Sequence, residues 1–240
     1  MIAVVRLGGL LFQWRSSLPL LLVPVFALAI ARFHFLFRSH VADQAWEVAC
    51  VLLSLTGWAL RVYTVGVAAP GTSGRNTRRH KAASLNTTGP YSVVRHPLYV
   101  ANGVIVLGFA LFPHSWIAPP VVALLTVAYY ACIVHGEEAY LRARFGGAFE
   151  AWAARVPAAI PAFSAHVAAA RPFAWKVAAR REFYALTLIL VLPIVLDTAE
   201  DFAETGTIVL DPLWTPVAII GITLFAIFRF LKKRTSVFVA

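Results

Sequence analysis

Apolar runs close to the thickness of a bilayer, separated by loops whose charge alternates in sign, constrain this chain more than any other feature. The runs are residues 18–37, 46–67, 98–112, 117–134, 183–196 and 214–231. A helix needs about 20 mainly apolar residues to cross a hydrocarbon core. With 60% hydrophobic and 13% charged residues, and a mean hydropathy of +0.75, a soluble domain of 240 residues has no way to hide so much apolar surface. The expectation is an all-α polytopic membrane bundle with about six transmembrane helices.

Loop charge sets the expected orientation. One set of connections holds Arg6 and Arg15, then Arg75, Arg78, Arg79, Lys81 and Arg95, then the arginines from Arg142 to Arg181, then Lys232, Lys233 and Arg234. The opposite set holds Arg38, Asp43, a nearly neutral hairpin tip, and the acids Asp197, Glu200, Asp201 and Glu204, which are expected in the loop between the last two runs. By the positive-inside rule, both termini are expected in the cytoplasm. The same rule accounts for the net charge of +10, so no nucleic-acid partner is needed to explain it. Residues 1–14 carry Arg6 and Gln13 ahead of the first long run and do not read as a cleavable signal. Cys50 and Cys132 lie far apart in apolar runs and read as free buried thiols. Low lysine and high alanine and arginine point to a bacterial inner membrane.

The third run is short, roughly 22 Å as a helix, and Pro113 stops it before Pro119-Pro120 open the fourth. Runs three and four therefore read as a helical hairpin whose outer ends return to one membrane face. Beyond it, residues 137–156 place Tyr140, Leu141, Phe145, Phe149 and Trp152 at spacings of three and four with arginines between, the pattern of a cytoplasmic surface helix ended by Pro157 and Pro161. Three parts follow: N-terminal helices in 1–67; a core of basic loop, hairpin and surface helix in 68–161; and a linker with two further spans in 162–240. No internal repeat and no glycine-rich phosphate loop is visible.

The polar residues concentrate at the two ends of the hairpin. Gly89-Pro90-Tyr91-Ser92-Val93-Val94-Arg95-His96-Pro97-Leu98-Tyr99 enters it, and His135-Gly136-Glu137-Glu138 leaves it. Ionisable groups at a membrane helix end are expensive unless they face protein, water or a ligand. On a helix starting near His96, the side chains of His96, Tyr99 and Gly103 share a face, with Asn102 adjacent; His135, Glu138 and Arg142 share another. Two such faces meeting would line a pocket with imidazole, phenol, amide and carboxylate, and Gly103 and Gly108 would admit a ligand or a neighbouring backbone. Singly, each element has a plain structural role: Arg95 and His96 as headgroup contacts, Tyr99 as an interface anchor, Glu138 and Arg142 as a surface ion pair. Those roles explain the convergence poorly. The other histidines, at 34, 40, 80, 114 and 166, have no metal-ligand spacing, so no metal is expected. Arg78-Arg79-His80-Lys81 reads as a solvated basic loop or, alternatively, as a clamp for an anionic lipid headgroup.

The pattern Gly89-Pro90-Tyr91-x-x-Val94-Arg95-His96-Pro97-x-Tyr99 resembles the signature of the isoprenylcysteine carboxyl methyltransferase family and its phospholipid methyltransferase relatives. So does Glu137-Glu138-x-x-Leu141-x-x-x-Phe145-Gly146, continued by Phe149, Trp152 and Arg155-Val156-Pro157. The resemblance covers roughly residues 71–161. It implies an integral membrane enzyme that uses S-adenosylmethionine and acts on a membrane lipid or lipid-linked acceptor bearing a carboxylate, phosphate or amine. It places cofactor contacts on His96, Tyr99, Glu137 and Glu138, with Arg95 and Arg142 nearby; Asn102, Gly103 and His135 complete the candidate cofactor set. Arg95, Glu138, Arg142 and Arg155 are the candidate catalytic residues, the guanidinium groups being suited to an anionic acceptor. This chain departs from the family pattern at Ala101, where glycine is usual, and at Phe149, where tyrosine is usual. Two rivals stand beside this reading: a membrane sterol or steroid reductase using NADPH, held by the basic loop, and a non-catalytic membrane protein that binds heme, lipid or a partner.

Overall fold

Residue by residue, the apolar runs become helices, and their ends are set by identifiable caps and breakers. The structure is a computed structural model; it describes residues 18–72, 82–235 and 237–238. Among them are eight α-helices and no strand: α1 (Val23–Ile30), α2 (His40–Val67), α3 (Pro90–Val93), α4 (Pro97–Leu111), α5 (Ala118–Phe145), α6 (Gly147–Ala153), α7 (Trp175–Thr205) and α8 (Trp214–Arg234). The expected all-α membrane bundle is what forms. Four helices, α2, α5, α7 and α8, are long and apolar enough to cross a membrane, while Leu20–Ile30 and Pro97–Leu111 are apolar but shorter.

The first run is thus not one long helix over its described length. A 3-10 turn at Leu18–Leu22 leads into α1, which stops at Ile30, and the chain then bends through Phe37 and Arg38, both at positive φ. Two other expectations are corrected. No breaker separates Val134 from Phe145, so α5 runs straight on past the Glu137-Glu138 pair; Gly146, at φ 51°, makes the break, and only Gly147–Ala153 forms the following helix. Similarly, Asp197, Glu200, Asp201 and Glu204 lie within α7, which continues to Thr205 and ends where Gly206 takes a left-handed conformation and donates to the Phe202 carbonyl. Glycine accepts that conformation without a Cβ penalty.

Helix starts follow side-chain chemistry. The Ser39 hydroxyl caps α2 by accepting from the Ala42 amide. Asp211 caps α8, its Oδ1 accepting from the amides of Leu213 (2.7 Å) and Trp214 (2.9 Å). Lys232, Lys233 and Arg234 close α8 where the helix dipole favours cations.

α2 is the central element. It packs most extensively on α4 and then on α7, which in turn carries α8; α5 lies against α4. The α2–α4 contact is backbone-close. A Cβ on Gly108 would clash with Ser54 Oγ and lie 2.6 Å from the Cys50 carbonyl, and one on Gly57 would lie 2.7 Å from the Ala101 carbonyl. Small residues permit such approach between membrane helices, where packing drives association. Ser54 Oγ bridges the same contact, donating toward the Ile105 and Cys50 carbonyls. Around it, Cys50, Val51, Ile105, Phe109, Phe112, Ile189, Leu196 and Trp214 form the apolar core. Leu124, Val127, Ile219 and Ile222 point outward, as lipid-facing positions do.

Candidate active site

The entry motif is held by a returning strap. Gly89 sits at φ 60° and donates to the Val167 carbonyl; the Ser92 hydroxyl donates to the Gly89 carbonyl and accepts from the Val167 amide. The Arg95 amide donates to the Pro157 carbonyl and the Ala162 amide to the Val93 carbonyl. Trp152 donates its indole N–H to the Tyr91 carbonyl, and with Phe149 and Val156 it forms a small core under the motif. Phe149 is fully buried there, so at this departure from the family pattern the ring serves packing. Ala101, the other departure, is also fully buried, with its carbonyl against Gly57. Burial pushes the Tyr91 phenol up from its ordinary range, chiefly by desolvation.

Backbone held in this way aims Arg95 and His96 at the exit of the hairpin. Arg95 Nε donates to Glu138 Oε1 at 2.8 Å, and its Nη1 donates to the carbonyls of Ala153 and Val156 at 2.9 Å each. His96 is buried; its Nε2 lies 3.1 Å from the same Glu138 oxygen, and its Nδ1 lies 3.7 Å from Glu137 Oε2. The Tyr99 hydroxyl donates to Glu137 Oε2 at 2.8 Å. The Tyr99 ring stacks between His96 (centroids 5.6 Å) and Tyr130 (4.7 Å). Asn102 donates from Nδ2 to the Tyr130 hydroxyl at 2.9 Å. Arg95, His96, Tyr99, Asn102, Glu137 and Glu138 are therefore gathered at one place.

Sequence reasoning missed how far the network extends. Arg61 on α2 donates to Asn102 Oδ1 and makes a two-pronged pair with Glu182 of α7, at 2.7 and 3.0 Å. Trp58 donates to the Glu182 carbonyl. The signal was present: Arg61 lies in an apolar run, where an ionisable residue has a partner by default. Tyr130, inside the fourth run, was unmarked by any motif.

The remaining candidates lie apart from this cluster. His135 is exposed, and its Nδ1 is bonded to the Ala131 carbonyl one turn back. Arg142 is exposed, pairs with Glu150 and lies over the Phe149 ring. Arg155 is exposed and donates to the Ala151 carbonyl. Gly103 faces open space: nothing lies within 4 Å of where its Cβ would be. Gly108 meets α2, as described. The basic segment Arg75, Arg78, Arg79, His80 and Lys81 lies outside the described residues.

Chemically, the cluster offers one carboxylate locked by two cationic or donor groups, a second carboxylate with an accessible edge, and a stack of flat rings. Glu138 Oε1 is shared by Arg95 and His96, whereas Glu137, about a third exposed, keeps one oxygen outside the bonds above.

Comparison with known proteins bears on the same region. The family model for phospholipid methyltransferases matches residues 47–148. The nickel-cobalt-cadmium resistance protein NccN of Alcaligenes xylosoxydans xylosoxydans is 34% identical over 124 residues, 51% of this chain and 55% of that protein. The cobalt-zinc-cadmium resistance protein CzcN of Cupriavidus metallidurans is 35% identical over 131 residues, 54% of this chain and 57% of that one. The protein-S-isoprenylcysteine O-methyltransferase of Schizosaccharomyces pombe is 32% identical over 85 residues, 35% of this chain and 36% of its own. The chain thus spans about half the length of the first two relatives and about a third of the last. No solved structure matches. Over residues 47–148, which hold Arg95, His96, Tyr99 and the Glu137-Glu138 pair on their helical hairpin, this integral membrane protein is similar to the phospholipid methyltransferases, as its motifs are to the isoprenylcysteine methyltransferase-like group.

Proposed function

We propose that this chain is an S-adenosylmethionine-dependent methyltransferase acting on a lipid or lipid-linked acceptor at the cytoplasmic face of a bacterial inner membrane. The observation that carries the reading is the meeting of the two motifs on one atom: Arg95 and His96 from the hairpin entry both reach Glu138 Oε1 at its exit. Local geometry fits the cofactor. The accessible edge of Glu137 can accept from ribose hydroxyls or an ammonium, and the space beside Gly103 lets a ligand approach the Tyr99–Asn102 face closely. When bound, S-adenosylmethionine supplies a methyl group activated by its sulfonium. Such displacement depends on alignment and excluded water more than on a strong base.

The residues argue for an anionic acceptor. A carboxylate or phosphate oxygen needs no proton removed, whereas an ammonium headgroup does. Glu138 is engaged by Arg95 and His96 and is poorly placed to take that proton. Arg142, in the last turn of α5, and Arg155, just beyond α6, are exposed cations that would attract an acceptor anion, while Arg95 fixes Glu138.

The test is ligand binding by the purified protein in detergent. S-adenosylhomocysteine should raise the melting temperature, with about 2.7 kcal/mol of stabilisation at a hundredfold excess over its Kd. The shift should shrink in Glu137→Gln and vanish in Glu138→Gln. A shift with NADPH and none with S-adenosylhomocysteine would replace this reading with a reductase; no shift with either would favour a non-catalytic binding protein.

A further inference from the structure

A second polar cluster lies inside the bundle, far from the first. Asp43 and Arg61 are separated by 18 positions on α2, about 27 Å at 1.5 Å per residue. Around Asp43, the acids of α2 and α7 converge. Asp43, Glu47 and Glu200 are 4%, 1% and 1% exposed, and each offers an oxygen within 4.8 Å of the other two. Asp197, on the same stretch of α7, is buried too.

Unmatched oxygens set this cluster apart. Both carboxylate oxygens of Glu200 are buried without a hydrogen-bond partner, as are Asp43 Oδ1, Glu47 Oε1 and Asp197 Oδ2. The other Glu47 oxygen accepts from the Trp214 indole at 2.6 Å, which fixes the side chain and leaves Oε1 turned inward. Asp211 is the contrasting case: its oxygens are taken up by the start of α8 and by Gln44. Asp43 Oδ1 also faces a basic group, His114, whose Nε2 lies 2.5 Å from it, so the oxygens of Glu200 are the more telling ones. Buried polar groups in native proteins are nearly always satisfied, so a side chain buried to this degree with two bare oxygens calls for a partner. Three carboxylates converging from two helices are the donor set of a hard divalent cation, which binds oxygen ligands.

We propose that Asp43, Glu47 and Glu200 form a divalent-cation site within the bundle, at the end opposite the Arg95 cluster. The site is independent of the methyl-transfer reading, since it shares no residue with it. Charge makes it selective for cations, and the all-oxygen set favours Mg2+, Ca2+ or Mn2+ over metals that prefer sulfur. His114, next to Asp43, is positioned as an orienting neighbour. Binding ties α2 to α7, so it also stabilises the bundle by mass action.

Mn2+ is the probe. The full-length protein in detergent, stripped of metal, is titrated with Mn2+ while the resonance of free aqueous Mn2+ is followed by electron paramagnetic resonance. The expected result is one ion taken up per chain, displaced by Mg2+ or Ca2+, with affinity at least tenfold weaker in Glu200→Gln. Glu150→Gln, which removes an exposed acid at the other end, should leave uptake unchanged. If Glu200→Gln does not fold, Asp43→Asn carries the same comparison. No uptake by the unaltered protein, or equal uptake by the unaltered protein and the folded variant, overturns the proposal and leaves protons to neutralise these acids.

Discussion

At one end of the bundle, charges come in matched sets. Arg95 meets Glu138 and two carbonyls, and Arg61 meets Glu182 with both prongs. At the other end, Asp43, Glu47, Asp197 and Glu200 crowd together, and several of their oxygens have no partner. Both ends bury ionisable groups, but the physical consequences differ in sign. Where a pair is complete, each charge is the condition for burying the other. Where like charges converge, each makes the others harder to bury, and stability must come from something that binds there. The comparison teaches that burial of charge is uninformative until its partner is counted.

The largest effect should come from breaking a complete pair. Arg61→Ala strands Glu182, which is 3% exposed in its side chain, and should cost about 3–5 kcal/mol, the range for an uncompensated buried charge. Denaturation in detergent measures it, and a cost below 1 kcal/mol would erase the distinction between the two ends. Adding Glu182→Gln should restore part of the loss; an additive double variant would show that the pair is not coupled.

Next in size is the contact joining the two ends. Gly108→Ala puts a Cβ onto Ser54 Oγ and the Cys50 carbonyl, so it should cost about 1–3 kcal/mol by overpacking. Pairing it with Ser54→Gly should recover most of that cost.

The sign reversal sharpens the comparison further. In the presence of a chelator, Glu200→Gln should be neutral or stabilising by about 1 kcal/mol, because it removes an unpaired buried carboxylate. Destabilisation in chelator would mean that Glu200 has a protein partner after all. The smallest effect should be Asp211→Ala. This acid is at the crowded end yet is fully used as a cap, and its loss should cost about 1 kcal/mol in thermal denaturation. A stabilising outcome would place it with its unpaired neighbours.

Much of the fold was legible because hydropathy alone marks long apolar helices. The last run, residues 214–231, differs from α8 only at its C-terminal end. Errors arose where polarity was read as loop. Asp197, Glu200, Asp201 and Glu204 are spaced three, four and seven apart, the period of one helix face, so the spacing held the answer that their charge concealed. The run at residues 18–37 failed for the opposite reason: apolarity marks a segment as able to lie in hydrocarbon and leaves its turns unseen. At the site, motif spacing led to Arg95, His96, Tyr99 and Glu138. It could not lead to Tyr130 or Glu182, because partners across a bundle have no fixed separation along the chain. His135 and Arg142 shared a helical face with Glu138 in the sequence pattern, yet both are exposed, since one face is wider than one pocket.

The strap over the entry motif bears on modularity. Arg95 is fastened by the carbonyls of Ala153, Val156 and Pro157, and Gly89 by that of Val167, all beyond residue 148. The region that the phospholipid methyltransferase model matches therefore holds the clustered polar groups without all of the scaffolding that orients them. Grafting residues 47–148 into another membrane protein would transfer the signature and leave its arginine unanchored. In this chain, inheritance of the motif and inheritance of its geometry are separable events.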